Sequence, residues 1–236
     1  MSERLYFRQL LAGRDFAADN ALANQMANFT YVIGDAQSRE ALLVDPAYAP
    51  EELISFVEAE GLHLVGVVAT HYHADHIGGS LMGHPVSGIA EIAQMVDVPV
   101  HVQSAEASWV TKGTGVGIPP IVMHEPGDVV HVGSLEVVLL HTPGHTAGSQ
   151  CLYVEGHLVS GDTLFLDGCG RTDLPGSDPY QMYVSLQERL AVLPDETLVF
   201  PGHFYSTEAF ATLGDVRAHN AVLAPRGPDE WLAYYG

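Results

Sequence analysis

Short apolar runs, each closed by glycine, proline or aspartate, recur along this chain and read as strands. Residues 29–33 (F-T-Y-V-I) are β-branched and aromatic, and 41–44 (A-L-L-V) return after a polar turn and stop at Asp45-Pro46. Residues 64–69 (L-V-G-V-V-A) hold no charge, the pattern of a buried strand. Further runs lie at 98–102, 128–132, 135–140, 151–154, 157–160 and 198–200. Gly133-Ser134 and Glu155-Gly156 separate successive runs as hairpin turns.

Helical spacing appears between them. Pro50 opens a helix with Glu51 and Glu52 in its first turn, Leu53, Ile54, Val57 and Ala59 on its apolar side and Gly61 as its stop. Residues 89–95 and 181–193 read as helices, and 208–219 and 230–235 as short tail helices. Residues 80–88 read as loop. Residues 106–120, with Gly113, Gly115, Gly117 and Pro119-Pro120, read as an irregular excursion, whose length marks either a functional loop or lid or a plain surface detour. Hairpins with interspersed helices in two halves predict two sheets packed face to face with helices outside.

Composition narrows the class. At 236 residues and 47% hydrophobic content the chain can bury a full core, which excludes a disordered tail or a disulfide scaffold. Two cysteines, Cys151 and Cys169, fit a reducing compartment. The N-terminal residues lack a signal-peptide apolar stretch, and no run approaches a membrane span, so the expectation is a cytoplasmic protein without a membrane partner. The net charge of −20 argues against nucleic acid as partner. A small-molecule substrate is expected instead.

The chemistry concentrates at strand ends. Residues 70–79 read T-H-Y-H-A-D-H-I-G-G, with His71, His73, Asp75 and His76 on one loop after the 64–69 strand. Imidazole and carboxylate are ligands for zinc, iron and manganese. In an extended segment His71 and His73 point the same way, and Asp75 and His76 reach a second point as the backbone turns. Without a cation, four such groups on one loop would repel or leave hydrogen bonds unmade. Three more junctions follow strands: His145 in P-G-H-T, Asp162 in G-D-T and His203 in P-G-H. Four junctions of this kind imply strand ends converging on one site, and Gly144, Gly161 and Gly202 would let backbone pass close to a bound ion. His141, close to His145, is a candidate support for it.

These four motifs, in this order, resemble the metallo-β-lactamase superfamily over about positions 28–205. The resemblance implies an α+β fold, a four-layer αββα sandwich, with a dinuclear site at the edge of the two sheets. It implies His71, His73 and His145 around one metal, Asp75, His76 and His203 around the other, and Asp162 bridging. Asp75 also matches a position that accepts a proton during turnover. The implied cofactors are two divalent metal ions, zinc first, with iron or manganese as alternatives. The whole chain, 1–236, reads as a single domain of this kind, with an irregular insert at about 80–120 and a short helical tail at 206–236.

Residues 165–173 (F-L-D-G-C-G-R-T-D) resemble both the glyoxalase II group and the iron-dependent persulfide dioxygenases, and the start of the chain resembles the latter. The short tail departs from full-length glyoxalase II, which grips glutathione with a long helical C-terminal domain. The leading expectation is a glyoxalase II-like hydrolase that cleaves a thioester or related acyl bond with a metal-bound hydroxide, on a glutathione or other thiol conjugate. The alternatives are an iron-dependent persulfide dioxygenase acting on glutathione persulfide, and a lactonase or other small-molecule hydrolase. Asp75 and Asp162 are the candidate catalytic groups. Arg171 is a candidate partner for a substrate carboxylate, or ties its loop to Asp167 or Asp173. Tyr205 is a candidate substrate donor, or packs. Cys169 has no base implied beside it and is not expected to be a nucleophile.

Overall fold

The computed structural model describes residues 4–117 and 120–236. The first half of the chain runs β1 (Leu5–Leu11), α1 (Ala21–Met26), β2 (Phe29–Asp35), β3 (Glu40–Val44), α2 (Pro50–Ala59), β4 (His63–Val68) and α3 (Ala74–Ile77). It continues with β5 (Gly79–Leu81), β6 (His84–Val86), α4 (Ile89–Met95), β7 (Val100–Gln103), α5 (Ala107–Thr114) and β8 (Ile121–His124). The second half runs β9 (Val129–Val132), β10 (Leu135–His141), β11 (Gln150–Val154), β12 (His157–Gly161), β13 (Leu164–Phe165) and β14 (Gly168–Cys169). Then come α6 (Pro179–Val184), whose wider π-turn extension covers Ser185–Leu190, β15 (Leu198–Pro201), β16 (Ala211–Thr212), α7 (Leu213–His219) and α8 (Pro228–Tyr235).

Each half supplies one six-stranded sheet, in the orders β1-β2-β3-β4-β7-β8 and β16-β15-β12-β11-β10-β9. The alternation of side chains along each strand builds the layers. Phe29, Tyr31, Ile33, Leu42 and Val44 point between the sheets and meet Val137, Leu139, Leu152, Val159 and Phe200. Their neighbours Val32, Leu43 and Val67 point the other way and pack under Leu53 and Val57 of α2 and Ile89 and Ile92 of α4. On the far side Leu158 and Val199 pack under Met182, Leu186 and Trp231. The result is the expected helix–sheet–sheet–helix arrangement. Full burial of each such side chain contributes roughly 1.5–3 kcal/mol.

Some elements differ from their sequence reading. Residues 80–88 hold the β5–β6 hairpin, turned at Met82-Gly83, both with positive φ. Residues 106–120 contain a real helix, α5, because Ala107 and Val110 share a buried side; Gly115 in the left-handed region ends it. Pro119 lies outside the described residues, as do residues 1–3 of the N-terminal stretch read for a leader. β1 and β8 are edge strands that carry polar or exposed positions, so apolar runs do not reveal them. α1 depends on a local cap: the Asn20 side chain accepts from the Leu22 and Ala23 N–H groups.

Topology then places the chemistry. β3, β4 and β7 run parallel, as do β12 and β15, so their C-terminal ends share an edge. At that edge the two sheets are stitched together. Phe29 N–H donates to Gly202 O, and Phe204 N–H donates to Ala27 O.

Candidate metal centre

Seven side chains from four loops converge at this edge. His71 and His73 follow β4; Asp75 and His76 lie on α3, whose N-terminus His73 begins. His145 follows β10, Asp162 follows β12 and His203 follows β15. Six of the seven are buried, and His73 is partly open. His71, His73 and His145 form one group of facing ligand atoms, and Asp75, His76 and His203 form a second. Asp162 lies between them. Its Oδ2 is 3.6 Å from His145 Nε2 and 3.3 Å from His203 Nε2, and its Oδ1 is 3.4 Å from His76 Nε2. Asp75 Oδ2 is 3.4 Å from His203 Nε2.

The outward nitrogens of these rings are held. His145 Nδ1 lies 2.8 Å from the Arg171 carbonyl, and His203 Nδ1 lies 2.8 Å from the Met26 carbonyl. A carbonyl only accepts, so each Nδ1 carries a proton and each Nε2 is the nitrogen that faces the site. His76 Nδ1 donates to Asp45 Oδ2 at 2.9 Å. Such supports fix metal-binding imidazoles in tautomer and direction. Inside, His145 Nε2 and His73 Nδ1 face each other at 2.9 Å. His71 Nε2 and Asp162 Oδ1 are buried with no hydrogen-bond partner. Leaving such groups unmet costs on the order of 1–3 kcal/mol each, so this donor set fits bound cations.

Electrostatics divide the two groups. Burial and the neighbouring His76 and His73 push His71 well below the ordinary imidazole range. Burial and the facing His145 bring His73 down to about 4. Both therefore present bare nitrogens at neutral pH. Burial also works against a charged His76, but the Asp162 and Asp75 carboxylates outweigh it and hold its proton well above the ordinary range. His203 is raised for the same reason, Asp162 outweighing burial. Burial alone would raise Asp162; the His203 and His76 charges reverse that and hold it well below the carboxylate range.

Several supporting residues went unread in the sequence. Asp45 accepts from Thr70 N–H at 2.8 Å and Thr70 Oγ1 at 2.6 Å, besides His76. Asp45, His71 and His76 also form a close group, but both Asp45 oxygens are already occupied by these donors, so it supports the site from beneath. Asn28 Nδ2 lies 3.1 Å from Asp75 Oδ2, and Tyr48 donates to Asn28 Oδ1 at 3.0 Å. Asp45 ends a strand beside β4, so its strand-end position was the available signal. Of the glycines read as close approaches, Gly202 fits best: any Cβ there would collide with Asp162 Oδ1. Gly144 instead packs its backbone against Met182 of α6.

A cleft of about 490 Å³ opens over the site, with His73, Asp75, His145, Asp162 and His203 in its lining. Met26, Tyr72, Leu81, Phe165, Leu174 and Tyr205 form much of its wall. Tyr205 stacks on His203 with ring centroids 4.5 Å apart. Burial, with the Asp162 and Asp75 charges, pushes its phenol up to about 12, so it stays a donor. Arg171 also lines the cleft, but its guanidinium forks onto Asp173 at 2.9 and 2.8 Å, the loop-tying arrangement. Cys169 lines the cleft too, and burial pushes its thiol up to about 12, which leaves it a poor nucleophile. His141 turns away, its Nε2 on the Ala147 carbonyl at 3.0 Å. A larger cleft of about 720 Å³ lies behind the 167–173 loop, against Tyr235, and contains none of the seven groups.

The sequence profile of the Metallo-beta-lactamase superfamily matches residues 24–203. The hydroxyacylglutathione hydrolase of Methylobacillus flagellatus is 35% identical over 80% of this chain and 68% of its own. The mitochondrial persulfide dioxygenase ETHE1 of Homo sapiens is 31% identical over 92% of this chain and 81% of its own. The crystal structure of ETHE1 from Myxococcus xanthus superposes with a TM-score of 0.79 at 30% identity, covering 98% of this chain and 89% of that one. No helix among the described residues is long and apolar enough to cross a membrane.

Proposed function

This chain belongs to the metallo-β-lactamase superfamily, and from that premise we propose that it is a metal-dependent hydrolase, glyoxalase II-like, that cleaves a thioester or related acyl bond of a small molecule. The observation that carries this reading is the place of Asp162, within 3.6 Å of His145 on one side and 3.3 Å of His203 on the other. One carboxylate between two three-residue groups is the arrangement that two ions share. His71, His73 and His145 would hold one ion, Asp75, His76 and His203 the other, and Asp162 both; zinc is the first choice, with iron or manganese as alternatives. Such ions acidify water for attack on an acyl carbon and offset charge developing on the acyl oxygen.

The chain's own residues supply the rest. Asn28 holds Asp75 by its Oδ2, in position to receive a proton from the reacting centre. Tyr205, protonated at neutral pH, offers an O–H to the substrate across the cleft. Arg171 can meet a substrate carboxylate once it leaves Asp173. The Phe165 and Leu174 side limits water around the substrate. A thiol conjugate such as a glutathione thioester is the proposed class, and the two unpaired cysteines fit a reducing, cytoplasmic setting.

A second reading, an iron-dependent persulfide dioxygenase, is favoured by the near-full-length likeness to the ETHE1 structure. One pair of assays separates the two. Zinc-loaded protein is incubated with S-lactoylglutathione, and iron-loaded protein with glutathione persulfide in an oxygen electrode cell. The hydrolase reading expects thiol release from S-lactoylglutathione and no oxygen uptake on the persulfide; oxygen uptake on the persulfide with S-lactoylglutathione left intact would replace it with the second.

A further inference from the structure

Glu106 is a carboxylate at 1% exposure, at the start of α5, with no part in the chemistry above. Its Oε1 accepts from Tyr72 N–H at 2.9 Å and from Thr146 Oγ1 at 2.6 Å; its Oε2 accepts from Gly148 N–H at 2.8 Å. Tyr72 separates His71 from His73, and Thr146 follows His145. One carboxylate thus ties together the two loops that carry the first three-histidine group. The fit leaves no slack: a Cβ on Gly148 would run into the Glu106 carboxylate and backbone. Three residues on, Trp109 stacks on the Tyr72 ring at 4.9 Å and 21°, gripping that loop a second time from α5.

We propose that Glu106 is a positioning residue for the metal centre: its carboxylate sets the spacing of His71, His73 and His145 and thereby the affinity and geometry of the ion they hold. This rests on the metal-site reading above. The argument is one of donor matching. Three donors converge on two carboxylate oxygens, and no neutral side chain of this shape accepts all three. A glutamine would accept at one end and set an NH₂ against a donor at the other.

The test uses purified full-length protein, stripped and reloaded with cobalt(II) or zinc. Affinity is read by chelator competition, and ligand geometry by the visible cobalt spectrum. Glu106→Gln is expected to weaken binding by about 10- to 100-fold, the range for outer-shell supports, and to shift the cobalt bands. Thr146→Val, which deletes one of the three bonds, is expected to weaken it less, and it gives a reading should Glu106→Gln fold poorly. A merely structural role would lower the melting temperature of the metal-free protein and leave affinity and spectrum at wild-type values. That result in both variants overturns the proposal while leaving the metal site standing. Failure of the wild type itself to bind either ion overturns the metal reading, and this inference with it.

Discussion

Asp162 is the residue on which the site's charge balance turns. Buried among imidazoles, it is held ionised by His203 and His76 against the pull of burial. Asp162→Asn keeps the shape and removes the charge. It should lower turnover by more than about 100-fold, exceeding the usual cost of an outer-shell change, and reduce bound metal. Asp229→Asn, on α8 away from the cleft, serves as control; equal behaviour of the two would refute the bridging role. A second residue-scale prediction concerns pH. Burial, and after it the charge of His124, lowers His101 from 6.5 to about 4. The unfolded chain therefore binds this proton more readily, so the contribution is complete above about pH 6.5 and is lost as pH falls toward 4. At about 1.4 kcal/mol per unit, the loss reaches up to about 3 kcal/mol. Urea titrations of metal-free wild type and His101→Gln should diverge by that amount between pH 4 and 6.5, and parallel curves would refute it. The seven candidate residues could be picked out because His145, Asp162 and His203 each follow a glycine at a strand end and the other four crowd one loop after β4. Asn28 and Glu106 could not be, because they join the site through contacts distant in sequence that no local spacing records, and Asp45 had only its strand-end position to mark it.

At the level of elements, the strands with one apolar face and helix α2 were legible from periodicity, and so was the edge strand β9, but the edge strands β1 and β8 were not. α5 shows why composition misleads. Three glycines between 113 and 117 pointed to an irregular excursion, but Gly113 lies within a helix that packs Ala107 and Val110, and Gly115 ends it. α5 is bonded to the loops of the site through Glu106 and lends Gly113 to the lining of the cleft. Its Trp109–Tyr72 stack should contribute about 0.5–1.5 kcal/mol beyond burial. Trp109→Ala is therefore expected to destabilise the chain by about 3–5 kcal/mol at most, the range of large aromatic truncations, and less where the ring is partly open. Equilibrium urea unfolding measures this; an unchanged midpoint would mean that the stack does not hold the loop. The β5–β6 hairpin was missed for a related reason: its strands are three residues each, too short for an alternation to register.

Across the whole molecule, two sheets from two halves of the chain meet at one edge, and the stitches at Phe29 and Phe204 fix that edge from both sides. The αββα arrangement was legible because hairpin runs repeat in each half with helices between. The convergence of strand ends was expected from the four junctions, but the parallel pairing behind it, as of β12 with β15, was not legible, because those neighbours lie far apart in the chain. The site gathers like-facing lone pairs and a buried carboxylate, so ions and fold should stabilise each other. Free zinc at 100 times its dissociation constant should add about 2.7 kcal/mol to unfolding free energy. Chelator should remove that increment, and melting curves indifferent to zinc and chelator would argue against native ion binding. The most direct measurement is the number of ions bound per chain at saturation, by native mass spectrometry of the zinc-loaded protein. The account predicts two for the wild type and one for His203→Ala. A wild type that saturates at one ion, with the same count in His203→Ala, would contradict the paired site.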